Sequence, residues 1–258
     1  MVTKAIAGEP TNSLALVADA GHMLTDAAAL GLALLAIRFA ERPATPQKTY
    51  GYLRSEILAA LANAVALLLI TVYILYEAWK RFQAPPEVVS WPMLIVASFG
   101  LVVNVIGMKL LAGSSGESLN VKGAYLEVLA DMLGSIGVIA AGIIMLITGW
   151  YMADPIIGAG IGLFIVSRTL KLLKEATHIL MEGAPTKVDM GLLDSAMRQV
   201  PGVDAVHDLH VWTITSGLDA LSAHVVIRDI AESDRILTEL QAVLHDRFEI
   251  DHTTLQFE

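Results

Sequence analysis

The sequence contains no cysteine among its 258 residues. Disulfides and thiolate metal sites are therefore excluded, and histidine, aspartate and glutamate remain as the side chains able to hold a metal. Charge is scarce: Asp, Glu, Lys and Arg make up 17% of the chain, against about a quarter in soluble domains. Basic residues are scarcest near the end. Residues 183–258 carry 5 Lys/Arg against 13 Asp/Glu, a net of −8, whereas residues 1–182 carry 12 against 13 and are nearly neutral. So acidic a tail lacks the basic stripe that phosphate recognition requires, which excludes nucleic acid as a partner. Apolar residues make up 55% of the chain, an excess that points to lipid.

Five segments are long and apolar enough to cross a hydrocarbon layer, which takes about 20 helical residues. They run roughly over 14–40, 54–79, 91–111, 120–149 and 155–174, separated by polar, turn-rich stretches such as Gln83-Ala84-Pro85-Pro86 and Tyr151-Met152-Ala153-Asp154-Pro155. Trp79, Trp91 and Trp150 sit at span ends, where aromatic belts form. Arg38, Arg42, Lys48, Arg54, Lys109, Lys122, Arg168, Lys171 and Lys174 gather on one side, and only Lys4, Lys80 and Arg81 on the other. The positive-inside rule places the first side, and with it the acidic tail, in the cytoplasm. Residues 1–13 contain Lys4, Glu9 and Pro10. They cannot form a span and read as the remnant of an N-terminal segment, followed by a transmembrane domain over 14–178 and a water-soluble domain over 183–258. The latter has the order helix (189–199), strand (206–214), strand (220–227), helix (233–248), strand (253–257), an α/β arrangement.

Ionisable residues inside a bilayer are costly unless they are paired or functional. The first span carries His22 and Asp26, and the fourth carries Glu127 and Asp131. Each pair is spaced i, i+4 and so stacks on one helical face. If the two faces meet, one imidazole and three carboxylates converge, enough for a tetrahedral metal site. Ordinary interhelical hydrogen bonding is the competing reading, but it usually employs Ser, Thr, Asn or Gln and not four ionisable groups in matched pairs. Asp19 lies one turn before His22 and could support the site, hold a proton or simply sit near the interface. Asn104 is a further possible supporting group, although it and Asn63 are read first as interhelical hydrogen bonds. In the tail, His207 and His210 share one strand, His224 lies on the next, and His252 and Glu258 bracket the last. As a group they read as a second metal-binding cluster, whereas His178 and His245 read as structural.

These same residues carry a family resemblance. The run Ser13-Leu14-Ala15-Leu16-Val17-Ala18-Asp19-Ala20-Gly21-His22-Met23-Leu24-Thr25-Asp26 resembles the second transmembrane helix of the cation diffusion facilitators. Thr49-Tyr50-Gly51-Tyr52-Leu53-Arg54-Ser55-Glu56-Ile57-Leu58-Ala59-Ala60 resembles that family's next loop and third helix. Tyr125-Leu126-Glu127-Val128-Leu129-Ala130-Asp131-Met132-Leu133-Gly134-Ser135 resembles the fifth helix of its cobalt–zinc–cadmium resistance branch. His207-Asp208-Leu209-His210-Val211-Trp212 and Ser222-Ala223-His224-Val225 are similar to its cytoplasmic domain. The resemblance runs from residue 13 to residue 258.

It implies a membrane α-helical bundle, five spans here and six in the family, with a C-terminal α/β ferredoxin-like cytoplasmic domain. It implies a homodimeric exporter in the bacterial inner membrane that exchanges cytoplasmic zinc, or cobalt or cadmium, for protons. The metal would be substrate and regulatory ligand, with no cofactor. His22, Asp26, Glu127 and Asp131 would form the transport site, and His207, His224, His252 and Glu258 the regulatory ones. Leu53 stands where many relatives have a histidine, and loop 112–119 has no histidine where many carry several. An intramembrane hydrolase would want an H-E-x-x-H helix or a G-x-S-x-G elbow, and neither occurs. A membrane-tethered metal sensor would leave the four intramembrane ionisable residues unexplained.

Overall fold

The computed structural model describes residues 12–112 and 119–258; the side chains of residues 22, 25–27, 29, 30, 33, 37, 111, 112 and 119–127 lie outside the described set. The reading of residues 1–11 as an N-terminal remnant likewise falls outside it. Five long helices occupy the expected spans: α1 (Leu14–Ala40), α2 (Ser55–Gln83), α3 (Ser90–Ala112), α4 (Leu119–Thr148) and α5 (Ala153–Leu180). Among the described residues, α2 to α5 each contain a stretch long and apolar enough to cross a membrane. The helices stop where the sequence offers stop signals. Pro85-Pro86 follows α2, and Gly149, at φ +67°, closes α4 by donating its N–H to the Met145 carbonyl at 2.9 Å. Large apolar side chains such as Leu69, Ile95, Phe99, Leu110, Ile147 and Leu163 are exposed, as a lipid-facing surface requires.

The C-terminal region follows the expected order: α6 (Met190–Arg198), β1 (Val203–Thr215), β2 (Leu218–Ile227), α7 (Ser233–Phe248) and β3 (His252–Phe257). The sheet runs β1-β2-β3, with β1 and β2 antiparallel and β2 and β3 parallel, joined by the α7 crossover. Leu193 and Met197 of α6 and Ile236, Leu240 and Leu244 of α7 pack with Val206, Leu221 and Val225 of the sheet into one core. Both helices on one face leave the other face open, and the alternation of β2 sends Ser222, His224 and Val226 to that open face. Asp189 caps α6 by accepting from the Gly191 and Leu192 N–H groups at 2.8 and 3.0 Å. Gly202 turns the chain into β1 at φ +98°, and a Cβ there would stand 2.8 Å from Ile236, so only glycine fits.

The chain forms two compact units. The first comprises the described residues up to Leu32 together with Ala62–Leu172; the second comprises Ala33–Leu61 together with Leu173–Glu258. The second thus includes the end of α1, the following loop, the first turns of α2, the end of α5 and the whole C-terminal sheet. Within it the carboxylate of Glu56, in the first turn of α2, accepts hydrogen bonds from Thr215 (2.6 Å) and Ser216 (2.8 Å) at the β1–β2 turn.

Candidate metal sites

Within the first unit, α1 and α4 approach through a small residue. A Cβ at Gly134 of α4 would lie 3.0 Å from Oδ1 of Asp19, so the Asp19 carboxylate rests against the bare backbone of α4. Asp19 is buried. Gly134 is three residues, about one turn, beyond Asp131, which is half-buried on the same helix and accepts the Ser135 hydroxyl at its backbone carbonyl at 3.0 Å. The side chains of His22, Asp26 and Glu127 lie outside the described set, and their backbones fall within α1 and α4 as expected. Helix spacing puts His22 one turn after Asp19, and Asp26 one turn further.

Asn104 of α3 is buried, and its Nδ2 has no hydrogen-bond partner among the described residues. One turn later a Cβ at Gly107 would meet Val128, the neighbour of Glu127, at 3.6 Å. Asn104 therefore stands on the part of α3 that faces the ionisable stretch of α4.

In the second unit, β1 and β2 pair so that His207 lies directly across from His224, with ring centroids 5.2 Å apart. Glu258, just past the end of β3, completes the group. Its Oε1 lies 2.6 Å from Nδ1 of His224 and its Oε2 lies 3.3 Å from Nε2 of His207. One ligand atom from each of the three falls within 4.8 Å of the others, a spacing that suits a shared cation. The two histidines, His224 foremost, hold the Glu258 carboxyl below its usual range.

A β-bulge follows this pair. The register slips between His207 and His210, where Asp208 adopts φ +54°, so strict alternation is lost. His210 instead lies 3.5 Å from Asp208 and lines an open cleft with Tyr50, Arg54 and Trp212. His252 is also apart. It pairs with Ala220, while His224 pairs with Gln256 four residues along, a separation of about 13 Å. His245 binds Asp251 at 2.6 Å, and His178 binds the Ala184 carbonyl at 2.8 Å.

Two polar features escaped the sequence reading. Asp154 was visible only as part of a turn before Pro155, and Glu56 only as one residue of the run that resembles the family's loop and third helix. In the fold Asp154 is fully buried and Glu56 meets the β1–β2 turn.

A bundle of apolar helices with ionisable residues in its interior, followed by a small α/β domain with side chains grouped as a cation would need them, is the architecture of an integral membrane protein that moves metal ions. The chain belongs to the cation efflux family: residues 1–181 match the cation efflux transmembrane domain and residues 185–258 match the cation efflux protein cytoplasmic domain. It is 47% identical to the metal cation efflux system protein CzcD of Cupriavidus metallidurans, over all of this chain and 82% of that one. It is 44% identical to the cadmium, cobalt and zinc/H(+)-K(+) antiporter of Bacillus subtilis, over all of this chain and 84% of that one. It is 42% identical to the zinc transporter ZitB of Escherichia coli, over all of this chain and 83% of that one. A solved structure of the metal-bound C-terminal domain of CzcD is 42% identical over 28% of this chain and 99% of its own, with a TM-score of 0.26. The family is one of metal transporters and not of enzymes. This protein is a divalent metal cation efflux transporter, integral to the membrane, with its C-terminal domain in the cytoplasm.

Proposed function

We propose that His22, Asp26, Glu127 and Asp131 bind the transported cation, zinc first and cobalt or cadmium alongside it, and release it outward in exchange for protons. The observation that carries this reading is the seating of Asp19 against Gly134, because it apposes the turn before His22 to the turn after Asp131. The names of the relatives, zinc transporters and a cadmium, cobalt and zinc/proton antiporter, support the substrate and the counter-ion. The chemistry then follows. Three carboxylates crowded in low dielectric cannot all carry charge, so protons occupy the empty site. A divalent cation needs deprotonated ligands and displaces them, so metal and protons compete for the same atoms. Coupled to alternating access, that competition lets an inward proton gradient drive metal outward without covalent chemistry.

His207, His224 and Glu258 are assigned as a cytoplasmic metal site that senses internal metal. Each cytoplasmic domain carries −8 by formal count, so two of them in a homodimer repel, and bound zinc lowers that repulsion. The setting is the bacterial inner membrane, and no enzymatic step is assigned. The test is zinc-dependent proton flux in proteoliposomes, with cobalt, cadmium and manganese as competitors. A sensor that only binds metal would give none.

A further inference from the structure

Asp154 is fully buried at the non-cytoplasmic start of α5, yet it belongs neither to the transport quartet nor to the cytoplasmic triad. Its carboxylate is the meeting point of three helix ends. Oδ1 accepts the Ser13 hydroxyl at 2.5 Å and the Ala15 N–H at 3.2 Å, and Oδ2 accepts the Leu14 N–H at 2.6 Å. Arg81, in the last turn of α2, reaches Oδ2 at 3.4 Å and donates to the Asn12 carbonyl at 2.5 Å. Ser13 in turn accepts the Leu16 N–H at 3.1 Å. The first free N–H groups of α1 are thus satisfied by a residue of another helix, with the negative charge at the positive end of the α1 dipole. One turn along α5, a Cβ at Gly158 would lie 3.3 Å from the Ala15 backbone nitrogen, so α1 and α5 touch backbone to backbone there.

α1 is also held at its far end, where Ala36 is buried and its carbonyl accepts the Ser55 hydroxyl at 3.1 Å. A helix held at both ends tilts about one when the other is released. Asp26 and His22 lie 10 and 14 residues before Ala36, about 15 and 21 Å along the axis. A tilt of about 5° about that end displaces Asp26 by about 1.3 Å and His22 by about 1.8 Å, most of a zinc–ligand bond of about 2.1 Å.

We infer that Asp154 is a positioning residue for metal exchange: it pins the outer end of α1 to α2 and α5, and thereby sets where the α1 ligands stand against those of α4. This rests on the assignment of His22 and Asp26 to the transport site. Asp154→Asn keeps one acceptor oxygen and replaces the other with an NH₂ group, which faces the donors of Leu14 and Arg81 if it takes the Oδ2 place and those of Ser13 and Ala15 if it takes the Oδ1 place. Ser13→Ala removes the bond to Asp154 and the acceptor for the Leu16 N–H, and leaves the carboxylate with its bonds to Leu14 and Ala15.

The experiment measures zinc-dependent proton flux in proteoliposomes. In parallel, zinc binding is followed calorimetrically on full-length protein in a His224→Ala background, which removes the cytoplasmic site. For Asp154→Asn the zinc KM and Kd should both rise at least tenfold, with maximal flux per folded dimer within threefold of the parent. Ser13→Ala should give a two- to fivefold rise. Wild-type KM and Kd in both variants would overturn the inference, as would a loss of folded protein with unaltered constants in what remains. If Asp154→Asn does not fold, Ser13→Ala decides alone: a two- to fivefold rise supports the inference and unaltered constants overturn it. If the parent protein binds zinc but shows no exchange, the transport reading fails and the inference is judged on Kd. A parent protein that binds no zinc in the His224→Ala background overturns both.

Discussion

Glu127 is the residue at which this quartet gains a third carboxylate and keeps only one imidazole. A glutamate offers hard oxygen on a longer, less constrained stem, which suits a broader range of divalent ions than a nitrogen donor does. Glu127→His keeps the i, i+4 relation to Asp131 and exchanges oxygen for nitrogen. The variant should favour zinc over cadmium by at least threefold more than the parent. With one carboxylate fewer to hold a proton, its flux should depend less steeply on pH. Transport of zinc, cobalt and cadmium at two pH values measures both; identical selectivity and pH dependence would remove Glu127 from the ligand set.

His245 gives a second residue-level expectation, one of stability. The hydrogen bond that the imidazole donates to Asp251, and then the charge of that carboxylate, raise the His245 pKa above the ordinary value near 6.5. Protonation is therefore favoured by folding. The contribution is fully present below the unfolded-state value and is lost as pH rises through the higher folded value. In His245→Gln, hydrogen-exchange protection of α7 should lose that part of its pH dependence and match the parent at alkaline pH.

At the scale of elements, the β1–β2 turn links the cytoplasmic triad to the start of α2. Thr215 and Ser216 close the two strands that present His207 and His224, and both hydroxyls donate to Glu56. The neighbouring Ser55 hydroxyl donates to the Ala36 carbonyl of α1 at 3.1 Å. Strand, turn, α2 and α1 are thereby connected by hydrogen bonds within one compact unit. Glu56→Ala should leave zinc binding at the triad unchanged, because no ligand is touched, but flatten the dependence of exchange rate on cytoplasmic zinc. Retained activation in that variant would mean that the turn contact carries no signal.

The elements themselves were legible because lipid demands long apolar runs, and a half-buried sheet demands alternation. Both patterns survive in a single sequence. The i, i+4 pairs were legible for the same reason, since an ionisable group in a bilayer stands out. Selection among the tail histidines was not. The positive φ at Asp208 breaks the alternation on which a strand reading depends, and strand pairing decides that His252 sits beside Ala220 and not beside His224. The roles of Asp154 and Glu56 were hidden because both arise from contacts more than 130 residues apart in the chain.

At the scale of the whole molecule, the two halves of the composition divide the labour. On the proposed reading, the nearly neutral helical part would place metal ligands where protons are exchanged for metal, and the acidic cytoplasmic part would read internal metal through side chains that water can reach. If the proposed quartet binds the cargo, losing one of its ligands stops exchange. The most direct test is zinc-driven proton flux in proteoliposomes holding either the parent protein or Asp131→Ala, with each shown to be folded and dimeric. The parent should exchange zinc for protons. The variant, lacking one charged ligand of four, should fall below about one hundredth of that rate, as a loss of several kcal/mol of binding requires. Exchange at the parental rate in Asp131→Ala would contradict the assignment.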